Sequence, residues 1–395
     1  MSRKTKKRSV LKTILIILLL VLLASFITGY IITASQMKKF FPRYEKIAPE
    51  FNAGYQYDHY EAEYPRQEVS FRSGDNVLKG YIYGLNNDKG VIVFAHGLGG
   101  AHDDGYLPLI TALVDRGWRI FAYDATGSGT SEGKGTIGLA QSDIDLDRAL
   151  NYVENNSVFA NMPLFVMGHS WGGYASAAVL NFDHKVKASV SMSGYNSPMS
   201  MLCEQVDEMY GDKSFLVYPF LWTYNKIHAG RYASLTAVDG INKSNIPVLI
   251  IHGDNDEVIK YYGSSIISQQ GRIKNRNAEY YTFETEGKDS HNGYFCTSDY
   301  HEYFKTELKE KYDEAANANN NDEWAKYIAS VDKEKYSTIN PDLVDMIDDF
   351  FSKQLNGADE STDEEAAAAT ETTTAETAEA TTSEEASSEN EGNEE

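Results

Sequence analysis

The sequence is short of cysteine, with two in 395 residues. That excludes a disulfide-stapled scaffold, and neither Cys203 nor Cys296 has a partner at metal-ligand spacing. Outside the cell a bridge between the two is chemically allowed, and two independent thiols fit equally. No glycine-rich phosphate cradle and no internal repeat is present, so no cofactor, no metal and no solenoid are expected. Positive charge is also scarce: 36 Lys and Arg stand against 58 Asp and Glu, for a net charge of -22. The residues up to Lys39 carry no acid, those from Gly357 on carry no base, and the stretch between is acidic. Such a body lacks the clustered Lys and Arg that phosphate contacts need, which excludes nucleic acid as a partner. Residues 358–395 contain no aromatic residue and no Val, Ile, Leu or Met. A segment of that kind cannot bury enough surface to offset its ordering entropy, and a disordered acidic Thr/Ala/Glu-rich tail is expected.

What is present begins with a basic arm. "MSRKTKKRSVLK" places six positive charges ahead of Thr13–Met37, an uncharged run dense in Ile and Leu up to Leu23. As a helix rising about 1.5 Å per residue, that run exceeds the roughly 30 Å of a bilayer core. A cleaved signal peptide has a shorter apolar region of about 7 to 15 residues, and "ITASQ" at 32–36 is the one weak cleavage site on offer. The apolar length favours a retained single-pass anchor in the cell membrane: residues 1–38 as cytoplasmic arm and transmembrane helix, 39–66 as a linker, and the region after the helix on the extracytoplasmic side.

The region 67–357 alternates strand-like and helix-like segments. "VIVFAHG", "WRIFAYD", "PLFVMG", "VKASVSMSG" and "PVLIIHG" are short apolar runs ending in Gly or Asp, as strands of a parallel sheet buried on both faces require. "EVSFRS" and "LKGYIYG" alternate around a "GDN" turn and predict an antiparallel hairpin, and "AEYYTFET" predicts a last strand. Helices are expected at Leu107–Arg116, Ile137–Glu154, Ser170–Asn181 and Tyr262–Gln270. "NPDLVDMIDDFFSKQLNG" announces a further one, with Asn340 as N-cap and Pro341 in the first turn.

One strand is followed by Gly168-His169-Ser170-Trp171-Gly172, a G-x-S-x-G pattern between predicted strand and predicted helix. In that context the serine sits on a sharp turn above the sheet edge, and Gly168 and Gly172 give clearance to neighbouring backbone. A serine hydroxyl needs a base to take its proton and a third group to hold the base. With the chain order Ser, acid, His, the segment "IIHGDNDEVI" offers Asp254 and Asp256 as the acid. The histidines after it are His291 and His301. His291 lies in a loop just past the last strand and His301 in a Tyr-rich helical segment, so His291 is the candidate base. His96, which precedes the acid, is expected to serve local hydrogen bonding.

From about Glu68 to Leu355 the chain resembles the α/β-hydrolase superfamily, in the branch of monoacylglycerol lipases, carboxylesterases and serine aminopeptidase-like proteins. "HGLGG", "DATGSGTSEG", "GHSWGG" and "HGDNDEVI" occur in that family's order and spacing. The resemblance implies an α/β fold with a mostly parallel sheet, helices on both faces and a helical cap. It also selects Asp256 over Asp254 as the acid and places the oxyanion hole at the backbone N–H groups of Leu98 and Trp171. The chain departs from the pattern at Thr126, where the family often has Arg.

The insertion at about 195–245 is too long for an ordinary connection and reads as the cap. It is rich in apolar side chains, and Phe215, Tyr218, Phe220, Leu221 and Trp222 are expected over the serine. Its acids Glu204, Asp207 and Glu208 are candidates for holding a free amine. The expected activity is therefore hydrolysis of lipid or small-molecule esters through Ser170, with a serine aminopeptidase-like peptidase and a catalytically idle binding module as alternatives. The sequence sets no oligomeric state.

Overall fold

The computed structural model describes residues 3–318 and 320–355; the tail at 358–395 lies outside the described residues. A long helix, α1 (Arg3–Phe40), and a single turn, α2 (Tyr57–Tyr60), precede the hairpin β1 (Arg66–Ser73) and β2 (Asn76–Tyr83). Strands and helices then alternate: β3 (Val91–Ala95), α3 (Leu107–Asp115), β4 (Arg119–Tyr123), α4 (Gln141–Glu154), β5 (Leu164–His169), α5 (Trp171–Ala178) and β6 (Val186–Met192). Helices α6 (Pro198–Tyr210), α7 (Tyr218–Ala229) and α8 (Ala237–Ser244) lead to β7 (Val248–Gly253) and β8 (Ala278–Phe283). Short helices α9 (Ser298–Tyr303), α10 (Lys309–Ala318), α11 (Asn321–Ala329) and α12 (Lys333–Tyr336) follow. They close on a cluster of their own around Tyr300, Tyr303, Leu308 and Tyr327. The first compact unit runs to Asp348 and holds the whole sheet; of the second, which begins at Asp349, the described part is the helical stretch 349–355.

The eight strands lie in the order β1-β2-β4-β3-β5-β6-β7-β8. Pairing is antiparallel from β1 through β2 to β4 and parallel from there to β8. This is the α/β-hydrolase fold. Every residue of β3, β5 and β7 is buried, which is why those strands read as unbroken apolar runs, whereas β8 alternates because it stands at an edge. Parallel pairing sends each connection back across a face of the sheet, so the carboxyl ends of β3, β5 and β7 all open on one side.

Two segments differ from their sequence reading. Tyr262–Gln270, expected as a helix, is a turn followed by a short 3-10 helix at Ile267–Arg272. Gly263, Ser264 and Ser265 favour helix weakly, and the backbone is engaged elsewhere: Asn196 N–H donates to the Ser264 carbonyl at 2.7 Å, and Ile266 N–H to the Gly194 carbonyl at 2.8 Å. The stretch after α1, read as a linker, is tied to the body. Tyr44 N–H donates to the Gly127 carbonyl, Lys46 pairs with Asp103 at 2.7 Å, and Tyr55 N–H donates to Ser337 Oγ.

Candidate active site

Ser170 stands at the junction of β5 and α5 with φ 58° and ψ -114°, a left-handed backbone that a non-glycine residue adopts only under tertiary constraint. The constraint is visible. Ser170 N–H donates to the Met192 carbonyl at 2.8 Å, and a Cβ placed on Gly168 or Gly172 would come within 2.2 Å of the Gly172 oxygen or 2.0 Å of the Ala95 oxygen. The turn therefore needs both glycines. Ser170 is half-buried, and among the described residues its hydroxyl makes no hydrogen bond.

His291 comes from the loop after β8 and Asp256 from the loop after β7, and the two meet: Asp256 Oδ2 lies 2.7 Å from His291 Nδ1. The other carboxylate oxygen accepts the N–H groups of Val258 at 2.9 Å and Ile259 at 2.8 Å. Burial acts to raise the Asp256 carboxyl, but hydrogen bonds from His252 and His291 outweigh it and hold it well below the usual carboxylate range. An ionised acid on Nδ1 fixes the proton there and leaves Nε2 of a neutral His291 ring as the basic nitrogen. Asp254 is exposed, and among the described residues only its backbone N–H is engaged, with the Phe283 carbonyl. His301 sits in α9 and hydrogen-bonds the Gly293 carbonyl at 2.9 Å, so it shapes the His291 loop from behind. His96 accepts the Ala125 N–H at 3.0 Å and donates to the Gly97 carbonyl, so it ties the end of β3 to the loop after β4.

Leu98 follows β3 on the strand next to β5, and a Cβ at its neighbour Gly97 would stand 3.6 Å from the Ser170 Cβ. Among the described residues the Leu98 N–H donates to no acceptor. Trp171 opens α5, where first-turn N–H groups have no partner within the helix. Its ring is buried, with Nε1–H on the Leu139 carbonyl at 2.9 Å. Two N–H groups thus flank Ser170 without an assigned acceptor.

Tyr106 and His252, both outside the sequence reading, complete the arrangement together with His169 of the Ser170 turn. Gly97 N–H donates to Tyr106 Oη at 3.1 Å, the Tyr106 hydroxyl donates to His169 Nδ1 at 2.8 Å, and His169 Nε2–H donates to the His291 carbonyl at 3.1 Å. This chain links the Leu98 turn, the Ser170 turn and the His291 loop. Tyr106 gave no sequence signal, because its use depends on where the chain before α3 lies. His252 Nε2 lies 2.8 Å from the Ile259 carbonyl and 3.2 Å from Asp256 Oδ2, bracing the acid. It could have been found as the histidine preceding the strand-ending Gly253. Thr126, in place of the family's Arg, donates its N–H and hydroxyl to buried Asp145. The carbonyls of that glycine-rich loop, at Gly129, Ser131 and Gly133, are gathered instead by the Arg43 guanidinium.

The chain holding these loops titrates. Burial, followed by the charge of His291, depresses His169 well below its ordinary value, and burial likewise lowers His96. A depressed imidazole favours the folded state fully above the unfolded value near 6.5 and loses that contribution as pH falls below it, because the unfolded chain then binds the proton first. His169 and His96 are therefore each expected to contribute a loss of stability from about pH 6.5 downward. The carboxylates Asp124 and Asp256, held low, add their losses only below about pH 4. His169→Gln, which keeps one donor and one acceptor, should flatten the decline between pH 7 and 5 in thermal melts; an unchanged slope would exclude His169 as its source.

Both cysteines are free thiols, and burial pushes Cys296 up to about 11. Of the aromatic and apolar residues expected over the serine, Phe220 and Leu221 face the cavity beside Leu98. Phe215 and Trp222 point outward at 59% and 56% exposure, a correction to the reading that the whole set overhangs the site. Alternation in a helix puts only part of any apolar run on one face.

Residues 86–207 match the family model described as Serine aminopeptidase, S33. The chain is 26% identical over 188 residues to the uncharacterized protein YfhR of Escherichia coli, a match covering 45% of this chain and 57% of that relative's length. Among solved structures, an esterase of Pyrococcus furiosus is 17% identical, with a TM-score of 0.49, over 68% of this chain and 96% of that one. The ferulic-acid-bound Est1E of Butyrivibrio proteoclasticus is 20% identical, with a TM-score of 0.42, over 56% and 90%. An acylaminoacyl peptidase of Pyrococcus horikoshii is 16% identical, with a TM-score of 0.42, over 58% and 37%. These similarities concern the fold and assign no residue a role.

Proposed function

We propose that the chain is a serine hydrolase that cleaves carboxylic esters through an acyl-enzyme on Ser170. The observation that carries this reading is the buried His291–Asp256 pair, 2.7 Å apart, delivered to the sheet edge where Ser170 is held in a strained turn. His291 Nε2 takes the Ser170 proton as Oγ attacks the ester carbonyl, and the new oxyanion accepts the N–H groups of Leu98 and Trp171. Collapse of the adduct expels the alcohol, which leaves with the proton from His291. Water, deprotonated by the same nitrogen, then releases the acid and restores the serine. No cofactor or metal enters these steps.

The cap's acids favour esters over peptides with a free amine. Glu204 accepts the Ser264 N–H, Asp207 accepts the Tyr218 hydroxyl, and Glu208 pairs with Lys260. All three lie around a surface hollow with Lys260, not in the cavity that Leu98 lines. An idle binding module would have no use for a strained serine together with a histidine held by an ionised acid. Within the same proposal, α1 holds the enzyme in the cell membrane with its catalytic region on the extracytoplasmic side. The support is one helix, Val10–Phe40, long and apolar enough to cross a bilayer.

The test is the full chain in detergent or vesicles, assayed on p-nitrophenyl esters from two to sixteen carbons beside aminoacyl anilides. Each buried methylene contributes about 0.8 kcal/mol. Catalytic efficiency should therefore rise up to about tenfold for every two carbons until the pocket is full. A flat ester series with strong anilide turnover would overturn the esterase reading in favour of the peptidase.

A further inference from the structure

The helix α1 is longer than a bilayer requires. Its uncharged run, Thr13–Met37, measures about 37 Å at about 1.5 Å per residue, against a hydrocarbon core of roughly 30 Å. The excess has a distinct environment. Side chains from Val10 to Thr28 are exposed, whereas Thr33 and Met37 are buried and Gly29 and Tyr30 partly so, a spacing that marks one helical face. That face meets α7: the rings of Phe26 and Phe220 are 5.2 Å apart, and Tyr30 Oη is 3.3 Å from His228 Nε2. A Cβ on Gly29 would stand 2.5 Å from Phe220 Cζ, so a larger residue there would make the Phe220 ring shift. The end of the helix is pinned as well. Phe41 is buried, Pro42 and Tyr44 bridge to Gly135 and Ser128, and Arg43 grips the glycine-rich loop.

Between α1, α6 and α7 lies a cavity of about 450 Å³ with no charged side chain in its lining. Thr33 and Met37 line it from α1, Val206 from α6 and Phe220 from α7. Leu98 and Val258 line it from the site, one flanking Ser170 and the other bonded through its N–H to Asp256. On the outer surface of the cap, Phe215, Leu216, Trp222 and Ile227 are each more than half exposed, beside a helix whose own apolar residues are exposed. Apolar side chains presented next to a membrane-length helix belong in the lipid interface.

We infer that α1 is itself a wall of the acyl-binding site, so that a fatty-acyl chain passes from the bilayer between α1 and the cap helices to Ser170. The inference rests on the esterase reading above and deepens it: the substrate class is an ester of a medium-to-long acyl chain held in the membrane. From Gly29 to Phe40 the helix rises about 16 Å, a length suited to such a chain and not to an acetyl group. The anchor then has two duties, tethering the enzyme and completing its specificity pocket.

The experiment uses the full chain in phosphatidylcholine nanodiscs and a 12-carbon alkyl fluorophosphonate carrying a terminal diazirine. After illumination, probe bound to Ser170 is expected to cross-link to α1 within residues 29–37, as read by mass spectrometry. Thr33→Phe and Met37→Trp, which fill the cavity from the α1 side, should each lower the ratio of kcat/KM for 12-carbon over 4-carbon p-nitrophenyl esters at least tenfold, with thermal melts confirming that they fold. Labelled Ser170 with cross-links confined to the body, and an unchanged ratio in both variants, would overturn the inference and leave the esterase reading intact. No labelling of Ser170 by any fluorophosphonate would overturn both.

Discussion

Ser170→Ala is expected to abolish fluorophosphonate labelling and to lower ester turnover by about 10⁴- to 10⁶-fold, with the fold intact. The size follows from the role: without Oγ no acyl-enzyme forms, and only the two N–H groups and substrate binding remain. A second variant separates chemistry from structure. Because φ at position 170 is 58°, a side chain there is strained, and glycine relieves that strain at a gain of roughly 1 kcal/mol. Ser170→Gly should therefore be as inactive as the alanine variant and melt at a higher temperature. A glycine variant less stable than wild type would show that the turn is not strained. Persistent labelling of either variant would place the nucleophile elsewhere.

The second large effect is expected at the acid. Asp256→Asn keeps the size of the side chain but presents an amide where His291 Nδ1 now meets a carboxylate at 2.7 Å. The ring can then turn its unprotonated nitrogen toward the amide and its N–H toward the serine. That tautomer cannot accept the proton, and kcat should fall on the order of 10⁴-fold. Asp254→Asn should stay within about twofold of wild type, because Asp254 is exposed and its carboxylate meets neither histidine. The reverse ranking, measured on one ester under saturating conditions, would reject Asp256 as the acid. Substituting His252 tests the brace beneath it. His252→Phe removes the second donor to Asp256 Oδ2, and a smaller loss in kcat than Asp256→Asn is expected.

The elements most legible in the sequence are those in which one local property repeats. Strands β3, β5 and β7 are buried on both faces, so each appears as an apolar run whatever surrounds it. The turn at Ser170 is legible for a related reason, since its sterics act within five residues and demand glycine at fixed offsets. Tyr262–Gln270 shows the opposite case. Its few apolar residues permit a helix, but long-range hydrogen bonds from Asn196 and to Gly194 take the backbone into a turn.

Sequence by itself thus determined the order of strands and helices, the serine on its turn, the two candidate acids, the loop histidine and an apolar helix of membrane length. Tertiary structure decided what depends on distance across the chain: that Asp256, the acid the resemblance selects, meets His291 at hydrogen-bond distance, that Tyr106 and His169 join three loops, and that the end of α1 lines the cavity at Leu98. The division has one physical cause. Hydropathy and backbone sterics act between neighbours and leave a periodic trace in the sequence, whereas a hydrogen bond or a shared cavity wall joins residues many positions apart and leaves none.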